Sequence, residues 1–163
     1  MSGDGGELAF TSLLSALVEP GVDFVVIGGW ALPVHGVYRT TVDVDVVPDP
    51  ARGNLERLSK ALRDLEAHVP GADPGFDALS VGALSSGATV KCLTRLGELH
   101  VVQAQEGLPA YPDLRRRAVE IEVEGVRFAV CSYEDLIAMK LATGRPQDEI
   151  DVTDLRRARG ELE

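Results

Sequence analysis

The segment Val42-Asp43-Val44-Asp45-Val46-Val47 sets two carboxylates into a run of valines. A β-branched run of this length reads as a strand, here from Thr40 to Pro48. The period of two then puts Asp43 and Asp45 on one face, their Cα atoms about 6 to 7 Å apart. Two unpaired carboxylates that close repel each other, and burying them is costly unless a cation or an arginine compensates. A divalent metal supplies that compensation, and oxygen ligands favour Mg²⁺ or Mn²⁺. The plainer alternative is an edge strand whose polar face is simply wet.

Upstream of Asp43 stands Gly28-Gly29, directly after the short apolar strand Asp23 to Ile27. Bare backbone N–H groups at such a turn, with a helix beginning at Trp30, can hold phosphate. A first helix is expected over about 6 to 19, where Phe10, Leu13, Leu14 and Leu17 recur at helical spacing before Pro20-Gly21. Asp49-Pro50 opens a helix from about 51 to 67 with the stripe Leu55, Leu58, Leu62 and Leu65. Residues 69 to 87 read as a loop with one helical turn around Phe76 to Leu79.

Two hairpins follow, Thr89 to Leu93 with Glu98 to Gln103, and Val119 to Val123 with Arg127 to Cys131, separated by a short helix over 111 to 117. Ser132 with Asp135 forms a capping box for a helix to Thr143, and Pro146 opens the last helix. This order predicts an α/β (α+β) domain, a mixed β-sheet with helices packed mainly on one face.

The 163 residues predict a single domain, 1–163. A net charge of −10 repels a polyanion, which excludes nonspecific duplex binding by the whole surface. The basic run Arg115-Arg116-Arg117, with Arg156, Arg157 and Arg159, is either a local RNA or triphosphate patch or a solvated helix face. Cys92 and Cys131 lie in apolar segments and read as buried free thiols. No stretch reaches the apolar length of a membrane span and no basic leader is visible, so a cytoplasmic protein with no membrane partner is expected.

Gly28-Gly29-Trp30-Ala31, His35-Gly36, Arg39, Thr41 and Asp43-Val44-Asp45 together resemble the first motif of the nucleotidyltransferase superfamily that includes DNA polymerase beta. The small AbiEii-like bacterial nucleotidyltransferases look most similar, through Tyr133-Glu134-Asp135-Leu136, Lys140, Arg145-Pro146, Asp148 and Asp151. The resemblance runs from about residue 22 to 155. It implies the nucleotidyltransferase fold and transfer of a nucleoside monophosphate from an NTP to an acceptor. It also implies Mg²⁺ or Mn²⁺ on Asp43 and Asp45, and a nucleotide held by Gly28, Gly29, Arg39 and Lys140. The acceptor is an RNA end, a protein hydroxyl or a small molecule such as an antibiotic, in a toxin-like setting. The alternative is a catalytically weakened nucleotide- or partner-binding module. A chain this short, with no added substrate domain, is expected to form a homo-oligomer or to take a second protein.

The third carboxylate that such proteins carry on a neighbouring strand is replaced by His100, within Gly97-Glu98-Leu99-His100-Val101. An imidazole can ligate a transition metal or take a proton, but it binds Mg²⁺ poorly. His100 is therefore a base or soft-metal ligand, or Glu98 reaches in from the same strand face, or catalysis is weakened. Arg39 contacts triphosphate, balances the Asp pair, or packs on the strand. Lys140 snorkels or points at phosphate. His35 is expected to brace the glycine turn, and Asp148 and Asp151 to serve the helix dipole as first-turn acids.

Overall fold

Strand β1, Phe24–Ile27, carries four buried apolar residues in succession. Such a strand needs cover on both faces and hence an interior place in its sheet. In the computed structural model, which describes residues 2–162, β1 lies inside a six-stranded sheet. The other strands are β2 (Val44–Pro48), β3 (Val90–Thr94), β4 (Gly97–Val101), β5 (Val119–Val123) and β6 (Val126–Val130), in the order β3-β4-β2-β1-β6-β5. β1 pairs antiparallel with β2 and parallel with β6, and β2 pairs parallel with β4. The hairpins β3-β4 and β5-β6 close the two edges, so the sheet is mixed, as expected.

The helices are α1 (Ser2–Val18), α2 (Arg52–Asp64), α3 (Val81–Ser85), α4 (Tyr111–Arg117), α5 (Tyr133–Thr143) and α6 (Pro146–Ala158). Helix α1 packs on β6, β4 and α2. Its Phe10 stacks on Trp30 at 4.1 Å and meets the edge of Phe128 of β6 at 5.8 Å. Leu13, Leu14 and Leu17 of α1 and Leu55, Leu58 and Leu62 of α2 are all buried. Each such side chain stabilises the fold by roughly 1.5 to 3 kcal/mol through the apolar surface withdrawn from water. Asn54 fastens α2 to the sheet: it accepts the Asp23 N–H at 2.7 Å and donates to the carbonyls of Asp23 and Asp49 at 2.9 Å each.

On the other face, cover is partial. Helices α4 and α5 lie over the β1 end, with Leu114, Leu136 and Met139 buried. Over β4 and β3 the same face stays open, because in β3 Val90 and Cys92 point inward while Lys91 and Leu93 are exposed. That half-covered face leaves room for a cleft.

Several local expectations are corrected. β2 begins at Val44 rather than Thr40, because its partner β1 ends where Ile27 meets Asp45 and Gly28 turns away at φ +72°. Asp43 therefore stands just outside the strand. In place of a helix from Trp30 to Val37 stand two short 3₁₀ turns, Gly28–Ala31 and Pro33–His35, the first taking in the glycine pair itself. In the segment 69 to 87 the helix is α3, not a turn at Phe76 to Leu79, because Ser80 Oγ accepts the Ala83 N–H at 3.1 Å and caps it. β4 stops at Val101, where Gln103 turns its side chain to the carbonyls of Leu84 and Ala88. α1 starts at Ser2, earlier than expected.

Ser132 caps α5 by accepting the Asp135 N–H at 3.0 Å, but Asp135 spends its carboxylate on Arg117, at 3.0 and 2.8 Å. The basic run is neutralised in the same way, Arg115 by Glu120 and Arg116 by Asp113. Arg115, Arg116 and Arg117 thus form an exposed, ion-paired helix end. Cys92 and Cys131 are buried and free. Among the described residues no helix is long and apolar enough to cross a membrane.

Candidate metal and nucleotide site

The open part of the sheet face is where the chemistry gathers. In register, Asp45 of β2 lies beside His100 of β4, and His100 beside Lys91 of β3, so one row of polar side chains crosses three strands. His100 Nδ1 is 2.9 Å from Asp45 Oδ1 and 3.4 Å from Asp43 Oδ2, and its Nε2 is 3.2 Å from Glu98 Oε1. One ligand atom from each of Asp43, Asp45 and His100 falls within 4.8 Å of the others. His100 thus stands beside both carboxylates, while Glu98 contacts the imidazole from its far side.

Burial pushes the Asp45 carboxyl up, Asp43 pushes it further, and the attraction of His100 only partly offsets them, leaving it at about 6. The cluster therefore brings together carboxylates whose mutual repulsion a divalent cation would relieve. Two carboxylates with an imidazole make a mixed oxygen and nitrogen donor set, which fits Mn²⁺ and similar ions better than Mg²⁺.

The glycine turn lies under this cluster. A Cβ at Gly28 would collide with the Asp45 carboxylate, and one at Gly29 with the Thr41 side chain. Gly28 and Gly29 are thus what lets the 39–43 loop close down over the turn. A cleft of about 650 Å³ opens above, lined by Gly28, Gly29, Asp43, Asp45 and His100. Arg39 and Lys140 line it as well. These seven residues, given metal, nucleotide or catalytic parts by the resemblance, therefore line one cleft.

Arg39 and Lys140 are also tied to each other through Asp151, which is 0% exposed. Arg39 donates Nε–H and Nη2–H to its two oxygens at 2.8 Å each, Lys140 Nζ donates at 2.7 Å and Gln147 at 3.0 Å. Burial opposes ionisation here, but these hydrogen bonds outweigh it and hold the carboxyl at about 2. Asp151 is thus not a first-turn acid serving the helix dipole but the anchor that joins the 39–43 loop, α5 and α6. Asp148 does accept the Arg145 N–H at 3.2 Å, and it also takes the Thr143 hydroxyl at 2.7 Å. Lys140 does not snorkel: its side chain lines the cleft, and its ammonium is buried between Asp151 and, at 3.6 Å, Asp148.

His35 does not brace the glycine turn. Its Nε2–H donates to the Cys131 carbonyl at 2.8 Å, pinning the second 3₁₀ turn to the end of β6. Sequence reasoning missed Lys91 and Gln147 and gave Arg145 no role of its own; all three also line the cleft. The exposed parity of Lys91 between two apolar neighbours was visible, but its register beside His100 was not.

The order of strands, the glycine turn and the carboxylates on the neighbouring strand define the nucleotidyltransferase fold. Two solved structures share it. A lincosamide antibiotic adenylyltransferase, LnuA, with lincomycin bound, superposes with a TM-score of 0.65 at 12% identity, over 93% of this chain and 97% of that one. The antibiotic-resistance factor ANT(2'')-Ia gives 0.57 at 15% identity, over 93% of this chain and 80% of that one. Over residues 11–156 the chain belongs to the family described as nucleotidyltransferase of unknown function (DUF6036). No curated protein matches the sequence.

Proposed function

We propose that this chain transfers a nucleoside monophosphate from an NTP to an acceptor hydroxyl, releasing pyrophosphate, with a divalent metal held by Asp43, Asp45 and His100. The observation that carries the reading is the meeting of these three side chains on the floor of a cleft whose wall is the glycine turn. The two carboxylates would anchor the cation that neutralises the charge developing on the transferred phosphoryl group. Gly28 and Gly29 would hold the outer phosphates on bare backbone. Arg39 and Lys140, oriented by Asp151, would set positive charge beside them, with Arg145 next to Lys140 through Asp148 and Lys91 adding to it from β3.

Mn²⁺ suits the donor set, and Mg²⁺ remains the alternative cofactor. The antibiotic named for LnuA supports a small-molecule acceptor over an RNA end. The acidic surface, at net charge −10, points the same way. The narrower AbiEii-like reading rests on Tyr133-Glu134-Asp135-Leu136, Lys140, Arg145-Pro146, Asp148 and Asp151, of which Lys140, Arg145 and Asp148 line the cleft and Asp151 anchors it.

The test is calorimetry of NTP binding with Mn²⁺ and with Mg²⁺, on the wild type and on the double variant Asp43→Asn, Asp45→Asn. Metal-dependent binding is expected to vanish in the variant; equal binding in both proteins would sink the assignment. Binding by the wild type with no label transfer from any α-labelled NTP would instead select the binding-module reading.

A further inference from the structure

Beyond the carboxylates a second cavity of about 280 Å³ adjoins the cleft. Ala104 and Gln105 line both spaces. Its chemistry is different. The walls come from Val47, Pro48, Leu108, Pro109 and Tyr111, and no Asp, Glu, Lys, Arg or His lines it among the described residues. The main cleft, by contrast, is lined by Arg39, Lys91, Lys140 and Arg145.

Position assigns the cavity a role. Ile27 stands opposite Asp45 in the antiparallel pair, so the glycine turn lies at the amino-terminal end of β2, next to Asp43. Val47 lies on the same face as Asp45, about 6 to 7 Å further along in the opposite direction. Along β2 the order is therefore glycine turn, carboxylates, second cavity. In phosphoryl transfer the attacking and leaving oxygens lie roughly in line through the phosphorus. With the outer phosphates on the glycine turn, pyrophosphate departs toward that turn and the attack comes from the opposite side, where the cavity is.

Resting on the nucleotidyl-transfer reading above, we propose that this cavity is the acceptor subsite and that the acceptor is a small, uncharged organic molecule with an apolar or aromatic body and one hydroxyl near the carboxylates. The volume is close to the lower bound of about 300 Å³ typical of small-ligand pockets. An RNA end brings a phosphate with every nucleotide and needs cations to hold it, which this wall lacks. In the reaction the acceptor oxygen forms the new bond to the α-phosphorus, and the bond from that phosphorus to the bridging oxygen breaks. Pyrophosphate leaves with the electron pair, and the hydroxyl proton passes to water in the open cleft. The acceptor site then lies within this chain and is not supplied by a second protein.

The test uses the full chain and two variants at one exposed wall position, Ala110→Trp, which fills the cavity, and Ala110→Glu, which charges it. The probes are a panel of neutral aromatic and alicyclic alcohols, read by ligand-observed NMR, and a short RNA with a free 3′ hydroxyl. Both probes are then offered with Mn²⁺ and each α-labelled NTP. Panel members are expected to bind the wild type and to lose at least about tenfold in affinity in both variants, with thermal unfolding and Mn²⁺-dependent NTP binding unchanged. Label is expected on the alcohols and not on the RNA. No panel binding, binding indifferent to both variants, or labelling of RNA that persists in Ala110→Trp would each overturn the acceptor assignment. Loss of NTP binding in the wild type itself would overturn the nucleotidyl-transfer reading instead, so the two failures are distinct.

Discussion

Replacing Asp151 by Asn should cost this protein about 3 kcal/mol of stability at pH 7. The carboxylate is buried and takes four hydrogen bonds, two from Arg39, one from Lys140 and one from Gln147. Removing one partner of a buried ion pair costs about 3 to 5 kcal/mol, because the other charge is left uncompensated. Asp148, at 3.6 Å from Lys140, keeps part of that compensation and places the effect at the low end. The carboxyl agrees in direction: the same hydrogen bonds lower it from 3.8 to about 2, roughly 2 kcal/mol of preference for the charged form.

The sign follows from the same drop. An acid depressed in the folded state contributes stability that is fully present above its unfolded value, near pH 4, and is lost as the pH falls toward about 2. Urea unfolding of wild type and Asp151→Asn should thus show midpoints about 1 to 3 M apart at pH 7, converging in acid. The double variant Asp151→Leu, Lys140→Met should recover part of the loss, since no buried ammonium is then orphaned and Arg39, 31% exposed, can turn its guanidinium to water. A single variant within about 0.5 kcal/mol of wild type at pH 7, or a gap that does not narrow in acid, would refute the buried anchor.

Two further outcomes are expected. His100→Asp should turn the donor set fully to oxygen and move metal preference from Mn²⁺ toward Mg²⁺ by about tenfold; unchanged calorimetric affinities for both ions would remove His100 from the metal site. Gly28→Ala should destabilise by about 1 to 3 kcal/mol, since it forces a Cβ into the left-handed region and onto the Asp45 carboxylate. It should also abolish Mn²⁺ binding, and a variant with wild-type melting and wild-type Mn²⁺ affinity would contradict the close approach of turn and carboxylate.

Much of this protein is legible in local pattern. The valine run announces β2 and puts Asp43 and Asp45 on the same side, where both carboxylates face His100. The leucine stripe of α2, the two hairpin turns and the glycine pair are read in the same way, because helix and strand periodicity depend on neighbours within a few residues. What the pattern could not supply is which elements meet. Local spacing treats Asp151 as an ordinary first-turn acid, and only the packing of α6 against α5 and the 39–43 loop makes it the counter-charge of Arg39, 112 residues away in sequence. Likewise nothing in the β3-β4 hairpin states that it will lie parallel to β2 with His100 beside Asp45. Register between distant strands is decided by burying one apolar face across the whole sheet, Val44 with Leu99 and Val46 with Val101. That burial belongs to the assembled sheet and to no single strand, so the tertiary structure alone brings the imidazole, the lysine of β3 and the second cavity to the carboxylates.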